Sequence, residues 1–249
     1  MGVVEELAIR LDEAQQAGKA ISQLTATTEL DVDTGYQIQA ALVARRIQRG
    51  ELMVGLKLGL TSQAKMTQMG VREVIWGRLT DAMRIPDGGT VEVGRYVHPR
   101  VEPEVAFLLT GEPGPFGSAV RAVAPALELI DSRYANFRFT LPDVVADNTS
   151  AAGFVLGPWQ PVPDGLDNLG VLLEVDGRVV ETGSTAAILG DPRRALAQGT
   201  HLAARAGVRL AAGWVFLAGA ATAAVPLAPG SHVRAVVEGL GTASLKASE

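Results

Sequence analysis

The fold of this chain turns on one apolar run that carries two glutamates, His98-Pro99-Arg100-Val101-Glu102-Pro103-Glu104-Val105-Ala106-Phe107-Leu108-Leu109. Residues i and i+2 of an extended strand project to the same face, so Glu102 and Glu104 are predicted to aim their carboxylates in one direction. Like charges a few ångströms apart repel, and burial raises the cost. The run alone leaves two interpretations open: an exposed edge strand with a charged outer face, or a divalent cation held by oxygen ligands.

The composition of the chain is that of an ordinary globular protein. Its 249 residues are enough for one large domain or two modest ones. Hydrophobic residues make up 47% and charged residues 20%, as in typical soluble proteins. The net charge of −5 argues against a nucleic-acid partner, because proteins of that class normally present a basic patch.

The rare residue types restrict the chemistry further. The chain has no cysteine, which excludes disulfides, thiolate zinc sites and a cysteine nucleophile. Its three histidines, His98, His201 and His232, are not at the spacing of paired metal ligands. A metal site would therefore rest mainly on carboxylates, and such ligands favour Mg²⁺ or Mn²⁺.

No targeting or membrane signal is evident in the sequence. Residues 1–19 lack the basic start and apolar core of a secretory signal. The longest apolar region, 210–227, is interrupted by Gly213, Gly219 and Pro226. We therefore expect a cytoplasmic protein without a membrane partner.

Apolar periodicity predicts helices at both ends of the chain and a β-rich body between and around them. Apolar residues recur at helical spacing in four segments, 3–17, 30–49, 118–129 and 192–206. Asp191 followed by Pro192 fits an N-cap with proline at the first helical position.

The remaining apolar runs are short and separated by Gly, Pro and Asp, which predicts strands in an all-β or mixed core. They are 54–60, 101–109, 152–156, 171–175, 179–182, 214–217, 232–237 and 241–246. Asp176-Gly177 between two of them is a strong two-residue hairpin signal. We expect a helical N-terminal segment at 1–50 and a β-rich catalytic domain at 51–249.

Lys57 and Asp81 are ionisable residues in apolar surroundings. Lys57 lies in the Gly-flanked run 55–59, where a lysine beside carboxylates and a metal could bind an anion or move a proton. The alternative for Lys57 is a side chain that extends to solvent from a strand end. Asp81 is an isolated acid after Leu79-Thr80, and its alternative is a turn or capping role.

Glu128 is embedded in aliphatic residues in the stretch 126–133. An unpaired carboxylate in that setting is costly, so Glu128 should have a partner. Two partners fit: Arg133, or a metal ion shared with Glu102 and Glu104.

Taken together, these segments resemble the fumarylacetoacetate hydrolase superfamily, in its hydratase/decarboxylase branch from catechol meta-cleavage pathways. The matching stretches run from Gly55 to Asn148, with a looser match through the C-terminus. The stretches 131–133 and 145–148 look like those that both activities share. The segment 134–144 looks more like the decarboxylases of the branch, and so does 65–71.

The resemblance implies specific roles for the candidate residues. Glu102, Glu104 and Glu128 match the family's three carboxylate ligands for Mg²⁺ or Mn²⁺, Lys57 matches its active-site lysine, and Asp81 matches a further acid near the substrate. The implied fold is α+β, a mixed β-sandwich or roll of the fumarylacetoacetate hydrolase C-terminal type with an N-terminal helical segment, assembled as a homo-oligomer.

The resemblance also implies the reaction. We expect a divalent-metal-dependent decarboxylase of a 2-oxo-enedioate such as 4-oxalocrotonate, acting through a metal-stabilised dienolate. The alternatives are a hydratase of 2-hydroxypenta-2,4-dienoate, and a non-catalytic subunit that only scaffolds an active partner. A complex with a partner hydratase fits the same branch. Trp214 and Ser231 stand where the family commonly has aspartate, which leaves a diverged substrate open.

Overall fold

The protein is described from a computed structural model, which describes residues 2–62, 74–111 and 116–249, without the side chains of Phe116 and Gly117. The decarboxylase-like stretch 65–71 lies outside the described residues.

The helices follow the apolar periodicity of the sequence. The second helix begins at an N-cap, Asp31, whose side chain accepts a hydrogen bond from the Thr34 N–H. The last helix begins in the same way at Asp191, with Pro192 at its first position. Three of the four predicted helices are confirmed. The helices are α1 (Val3–Ala17), α2 (Val32–Gln48), α3 (Phe116–Ala119), α4 (Leu141–Ala146) and α5 (Pro192–Arg205).

The predicted strands are also present, with bounds that differ by a few residues. The Asp176-Gly177 hairpin joins two of them. The strands are β1 (Met53–Gly59), β2 (Ile75–Thr80), β3 (Arg84–Ile85), β4 (Gly89–Glu92), β5 (Arg100–Leu109), β6 (Val120–Ile130), β7 (Ala151–Leu156), β8 (Gly170–Val175), β9 (Arg178–Ser184), β10 (Val215–Ala220), β11 (Val225–Pro226), β12 (His232–Val237) and β13 (Gly241–Ser248).

These strands form two mixed sheets that pack face to face. The larger sheet has the order β2-β1-β10-β5-β6-β7-β3, and β11 pairs with β5 beside this path. The smaller sheet has the order β4-β13-β12-β8-β9. Val101, Leu127 and Leu129 from the larger sheet share one buried cluster with Val233 and Leu245 from the smaller one. The fold is therefore the mixed α+β arrangement that was expected.

One predicted helix is wrong: the segment 118–129 forms most of strand β6 instead. Its alanines and its apolar spacing favour a helix locally, but β6 pairs with β5 on one side and with β7 on the other. Tertiary pairing overrides local propensity here. Pro125 was a signal against the helix, because proline in a helix interior removes a hydrogen bond and clashes with the preceding turn.

The N-terminal helices pack against each other and against the segment that follows β6. Leu7 and Leu11 of α1 share a buried cluster with Ile38 and Leu42 of α2 and with Tyr134. The division into a segment 1–50 and a domain 51–249 stays a prediction. Among the helices of the described ranges, none combines the length and the apolar character needed to cross a membrane.

Candidate metal centre

Three glutamates meet on the central strands of the larger sheet. Glu102 of β5 is the direct partner of Glu128 on β6, and Glu104 lies two residues further along β5. One carboxylate oxygen from each of the three lies within 4.8 Å of the others. Their relative exposures are 5% for Glu102 and 0% for Glu104 and Glu128, so this is a buried acidic cluster and not a solvated strand face.

Strand alternation explains why the carboxylates converge. Val101 on β5 and Leu127 and Leu129 on β6 point into the core between the two sheets. The residues between them must therefore point to the opposite face of the larger sheet. Glu102 and Glu128 both project from that face. Glu128 lies opposite Glu102 because residues 120–130 form a strand paired with β5.

Three carboxylate oxygens of the cluster have no hydrogen-bond partner among the described residues. They are Glu104 Oε1 and both oxygens of Glu128, and all three are buried. Burial, and then the charges of Glu128 and Glu102, raise the pKa of Glu104 well above its usual value. Burial raises the pKa of Glu128 to about 7, although Lys57 opposes the shift. Hard oxygen ligands with unsatisfied lone pairs fit a divalent cation.

One oxygen of Glu104 is oriented by the backbone. The Gly219 N–H donates to Glu104 Oε2 over 2.8 Å. Strand β10 has a register irregularity between Leu217 and Ala220, and Gly219 within it has a φ of +111°. Glycine adopts this conformation without strain, and the bulge turns the N–H towards the carboxylate.

Lys57 is the cationic member of the cluster. It lies on β1 with a side-chain exposure of 3%, and its Nζ is 3.0 Å from Glu128 Oε2. Lys57 is thus the ion-pair partner of Glu128 within the cluster. Lys57 Nζ also donates a hydrogen bond of 3.0 Å to the Thr149 carbonyl. The lysine is thus held between one carboxylate and one backbone acceptor.

The Thr149 carbonyl is presented by an unusual turn. Asn148, Thr149 and Ser150 have φ values of +50°, +53° and +57°, which side-chain-bearing residues rarely adopt in succession. Asn148 holds the turn to β2, because its side chain accepts from the Arg78 N–H and donates to the Arg78 carbonyl. Left-handed strain of this kind is concentrated at functional sites.

The cluster opens into a cavity of about 610 Å³. Lys57 and Glu102 lie in its wall, with Thr149 and Ser150 of the left-handed turn beside them. Most of the other lining side chains are apolar, and two are arginines. They are Gln23, Gly59, Leu60, Ile75, Ile130, Phe137, Phe139, Val144, Ala223, Ala224, Arg100 and Arg138. The volume suits a small organic acid.

The structure does not bring Asp81 to this cluster. Asp81 is exposed, and its Oδ1 accepts hydrogen bonds from the Leu52 and Ala82 N–H groups. Asp81 directly follows Thr80, whose partner across the ladder is Met53 at the start of β1. Lys57 lies four residues further along β1, about 13 Å from that point. Asp81 therefore has the geometry of a turn cap, and its role near the substrate stays a prediction.

Arg133 is not the partner of Glu128. Its guanidinium Nε and its backbone N–H both donate to the Asp147 carboxylate, and the pair is buried. Lys57 is the cation beside Glu128. Trp214 and Ser231, which depart from the family pattern, are not among the residues that line the cavity in the described part of the chain.

Sequence reasoning missed Arg100, Arg138 and Phe137 as cavity residues. Arg100 could have been found, because it precedes Glu102 by two positions and shares its strand face. Arg138 and Phe137 lie in a loop whose path depends on tertiary packing.

The chain is similar in sequence, over most of its length, to known enzymes. The family model for the C-terminal part of fumarylacetoacetate hydrolase matches residues 71–246. The chain is 52% identical over 247 residues to a 4-oxalocrotonate decarboxylase from Pseudomonas sp, covering 97% of this chain and 96% of that one. It is 38% identical over 248 residues to a 2-keto-4-pentenoate hydratase from Paraburkholderia xenovorans (strain LB400), covering 96% and 92%.

A solved structure matches the fold over nearly its whole length. It is that of 4-oxalocrotonate decarboxylase from Pseudomonas putida G7 complexed with magnesium and adipate. The TM-score is 0.93 at 38% identity, with 98% of this chain and 97% of that chain covered.

Proposed function

This chain belongs to the fumarylacetoacetate hydrolase family, and we propose that it is a divalent-metal-dependent decarboxylase of a 2-oxo-enedioate such as 4-oxalocrotonate. The observation that carries the proposal is the buried cluster of Glu102, Glu104 and Glu128, which opens with Lys57 onto a cavity of about 610 Å³. The extent of the 4-oxalocrotonate decarboxylase matches supports the choice of reaction.

In this proposal the three glutamates hold Mg²⁺ or Mn²⁺. The unsatisfied oxygens and raised pKa values of Glu104 and Glu128 support it, because a cation would favour the ionised form of both carboxylates. When bound, the cation supplies Lewis-acid stabilisation of negative charge on the substrate and a template for its carboxylate and 2-oxo oxygens.

Lys57 manages charge and protons at the 2-oxo end of the substrate. CO₂ leaves from the distal carboxylate, and the electron pair passes through the alkene towards the 2-oxo oxygen. Lys57 Nζ faces the cavity beside Glu128 and can donate to an anionic oxygen of the substrate or supply the proton that the dienolate takes up. The Thr149 carbonyl holds one of its hydrogens and so directs the others.

The apolar wall of the cavity assists the loss of CO₂. Ile75, Ile130 and Phe139 limit the water that can surround the substrate. A localised carboxylate charge loses more from desolvation than the dispersed charge of the transition state, so a drier site favours the reaction. The apolar side chains of the wall thus act through the environment that they provide, and they form no covalent bond to the substrate.

A hydratase of 2-hydroxypenta-2,4-dienoate is the second candidate. The observation in its favour is the 38% identity to 2-keto-4-pentenoate hydratase over 96% of this chain. A hydratase would use the same electron sink and differ by delivering water to the alkene.

The decisive experiment incubates purified protein and Mg²⁺ with 4-oxalocrotonate while substrate absorbance and CO₂ are followed. We expect loss of absorbance with release of CO₂, and no reaction when a chelator is present. Unchanged absorbance without CO₂ would reject the decarboxylase. Consumption of 2-hydroxypenta-2,4-dienoate in a parallel assay would instead support the hydratase.

We also propose that the chain assembles as a homo-oligomer and can associate with a partner hydratase. Light scattering on the purified protein tests the first point. Activity that appears only after a hydratase subunit is added would indicate the third alternative, a non-catalytic scaffold. The buried Lys57–Glu128 pair argues against that alternative, because a scaffold has no need for costly buried charges.

A further inference from the structure

We propose that Arg100 and Arg138 form a cationic end of the cavity that binds the distal carboxylate of the substrate and selects 2-oxo dicarboxylates over 2-oxo monocarboxylates. The substrate class rests on the proposed function, but the selectivity is a property of the cavity that can be measured without turnover. We call these two residues the arginine pair.

Arg100 shares the strand face of the acidic cluster. Arg100, Glu102 and Glu104 occupy alternate positions of β5, and their partners on β6 are Ile130, Glu128 and Ala126. Residues at alternate positions project to the same side at intervals of about 7 Å. Arg100 and Glu102 both line the cavity, so the strand sets a cation one step beyond the glutamates.

Phe137 orients the Arg100 side chain. The Arg100 guanidinium carbon lies 4.9 Å from the centroid of the Phe137 ring. The same ring also contacts the rings of His98 and Phe139, at centroid separations of 4.8 Å and 6.0 Å. Phe137 and the preceding Asn136 have φ values of +56° and +59°, so the loop is held in a left-handed conformation that presents the ring to Arg100. A planar guanidinium on an aromatic face retains its hydrogen-bond donors for a ligand.

Arg138 reaches the same cavity from the loop. It directly follows Phe137, is exposed, and belongs to the cavity wall. Within the described ranges of the chain, neither Arg138 nor Arg100 forms a salt bridge. These two cations, which have no carboxylate partner among the described residues, line the same cavity as Glu102.

The spacing suits a six-carbon diacid. Five carbon–carbon bonds join the two carboxylate carbons of a 2-oxo-hexenedioate, and an extended chain of that kind spans about 6 Å. One alternate-residue step along β5 is similar, at about 7 Å. A substrate whose 2-oxo acid end lies beside Glu102 would therefore place its distal carboxylate beside Arg100.

The charges also suit a dianion. Three carboxylates and one ammonium group leave the cluster with a net charge of −2, which one divalent cation would offset. A bound 2-oxo dicarboxylate would add two negative charges to this neutral site. The arginine pair supplies two positive charges, whereas a monocarboxylate would leave one guanidinium unmatched.

The arginine pair should act mainly on binding. A cation beside the leaving carboxylate stabilises the ground state at least as well as the transition state, so it lowers KM without raising kcat. This separates it from Lys57, whose loss should reduce kcat.

The experiment compares two saturated ligands that cannot lose CO₂ in the same way, 2-oxohexanedioate and 2-oxohexanoate. They differ only in the distal carboxylate. Their affinities are measured by calorimetry on the Mg²⁺-loaded protein. We expect the wild-type protein to prefer the diacid by about 10- to 100-fold, as charged hydrogen bonds allow.

Arg100→Met and Arg138→Met should each reduce this preference, and the double variant should abolish it, while affinity for 2-oxohexanoate stays at the wild-type value. Arg121→Met is the matched control, because Arg121 is exposed on β6 and is not among the cavity residues. The control should retain the full preference.

A wild-type protein without preference, or a double variant that retains it, would overturn the proposal. Loss of both ligands in Arg100→Met would also overturn it, because Arg100 would then support the metal centre and not the distal carboxylate. A diacid preference that depends on the arginines, in a protein that releases no CO₂ from 4-oxalocrotonate, would leave the arginine pair standing and reject the proposed function.

Discussion

Glu102 and Glu128 face each other directly across the β5–β6 ladder, and both carboxylates are buried. Opposite positions on adjacent strands bring side chains within about 5 Å, where like charges on a sheet are destabilising. The protein accepts this cost at the centre of its larger sheet, beside Glu104 and Lys57.

Glu104→Gln should weaken Mg²⁺ binding by about 100-fold or more, because it removes a ligand and not merely a group that orients one. The amide oxygen can still accept from the Gly219 N–H, so the variant should fold. Without metal it should be more stable than the wild-type protein, since a buried carboxylate with a raised pKa is replaced by a neutral group.

Calorimetric titration with Mg²⁺ and thermal unfolding of the metal-free protein measure both effects. Glu13→Gln, on the exposed face of α1, is the control and should change neither quantity. Wild-type Mg²⁺ affinity in Glu104→Gln would contradict the assignment of this ligand.

Lys57→Met should lower kcat by about 10²- to 10⁴-fold, the range for loss of a proton-transferring group, while Mg²⁺ still binds. Methionine fills much of the same buried volume, so the loss is chemical. Steady-state kinetics with 4-oxalocrotonate, together with a Mg²⁺ titration, separate the two quantities. A variant with raised KM and unchanged kcat would show that Lys57 only binds the substrate.

Gly77→Ala should lower kcat without changing Mg²⁺ affinity. A Cβ at residue 77 would lie 2.6 Å from the Asn148 carbonyl oxygen, so the left-handed turn must shift and carry the Thr149 carbonyl away from Lys57. A displacement near 1 Å can cost about 100-fold in rate.

Gly165→Ala is the control for this substitution, because a Cβ there meets no atom within 4 Å and its φ is −91°. It should keep wild-type kinetics. Equal kcat values in the two variants would mean that the turn does not position Lys57.

Stabilisation by Mg²⁺ should be greater at about pH 8 than at about pH 5.5. In the metal-free folded protein, the pKa of Glu128 is raised from 4.5 to about 7, and that of Glu104 is raised well above 4.5. As the pH rises, the folded state therefore keeps these protons at pH values at which the unfolded chain has already lost them. The stability from these protonated carboxyls is complete below about pH 4.5 and is lost as the pH rises through about 7.

A divalent cation compensates this loss, because it binds the ionised carboxylates and competes with protons at lower pH. Thermal unfolding with and without Mg²⁺ at the two pH values gives the comparison. Glu104→Gln should reduce the pH dependence of the metal-free protein. A shift in Tm of equal size at both pH values would count against this linkage.

Arg133→Met should destabilise the protein by about 3–5 kcal/mol, because it leaves the buried Asp147 carboxylate without its cation. Denaturant unfolding measures the change. Arg234→Met is the matched control: its pair with Glu174 is partly exposed, and its loss should cost about 0–1 kcal/mol. A small change in Arg133→Met would mean that the pair is dispensable for folding.

Local patterns were enough to predict α1, α2, α5 and the Asp176-Gly177 hairpin, because caps, periodicity and turn residues act over a few positions. They were not enough for β6, whose state is decided by pairing with β5 and β7.

Some features of the candidate site could likewise be predicted from local sequence, whereas others depend on tertiary structure. The alternation of Glu102 and Glu104 and the isolation of Glu128 among aliphatics could be recognised in the sequence. The contact of Lys57 with Glu128 joins strands that are distant in the chain, and the entry of Arg138 depends on a loop that folds back over the sheet. Asp81, like Lys57, is an isolated ionisable residue in an apolar stretch of sequence. The register of β1 and β2 places it at the end of the ladder that is distant from Lys57.

The hydrogen bond from Gly219 to Glu104 affects how this protein can evolve. Its donor is a backbone group, so no exchange of side chain at a neighbouring position removes it. The glutamates themselves lie on paired strands, whereas Phe137 and Arg138 lie on a loop. Substitutions in the loop can therefore change which acids are accepted while the geometry of the acidic cluster is inherited intact.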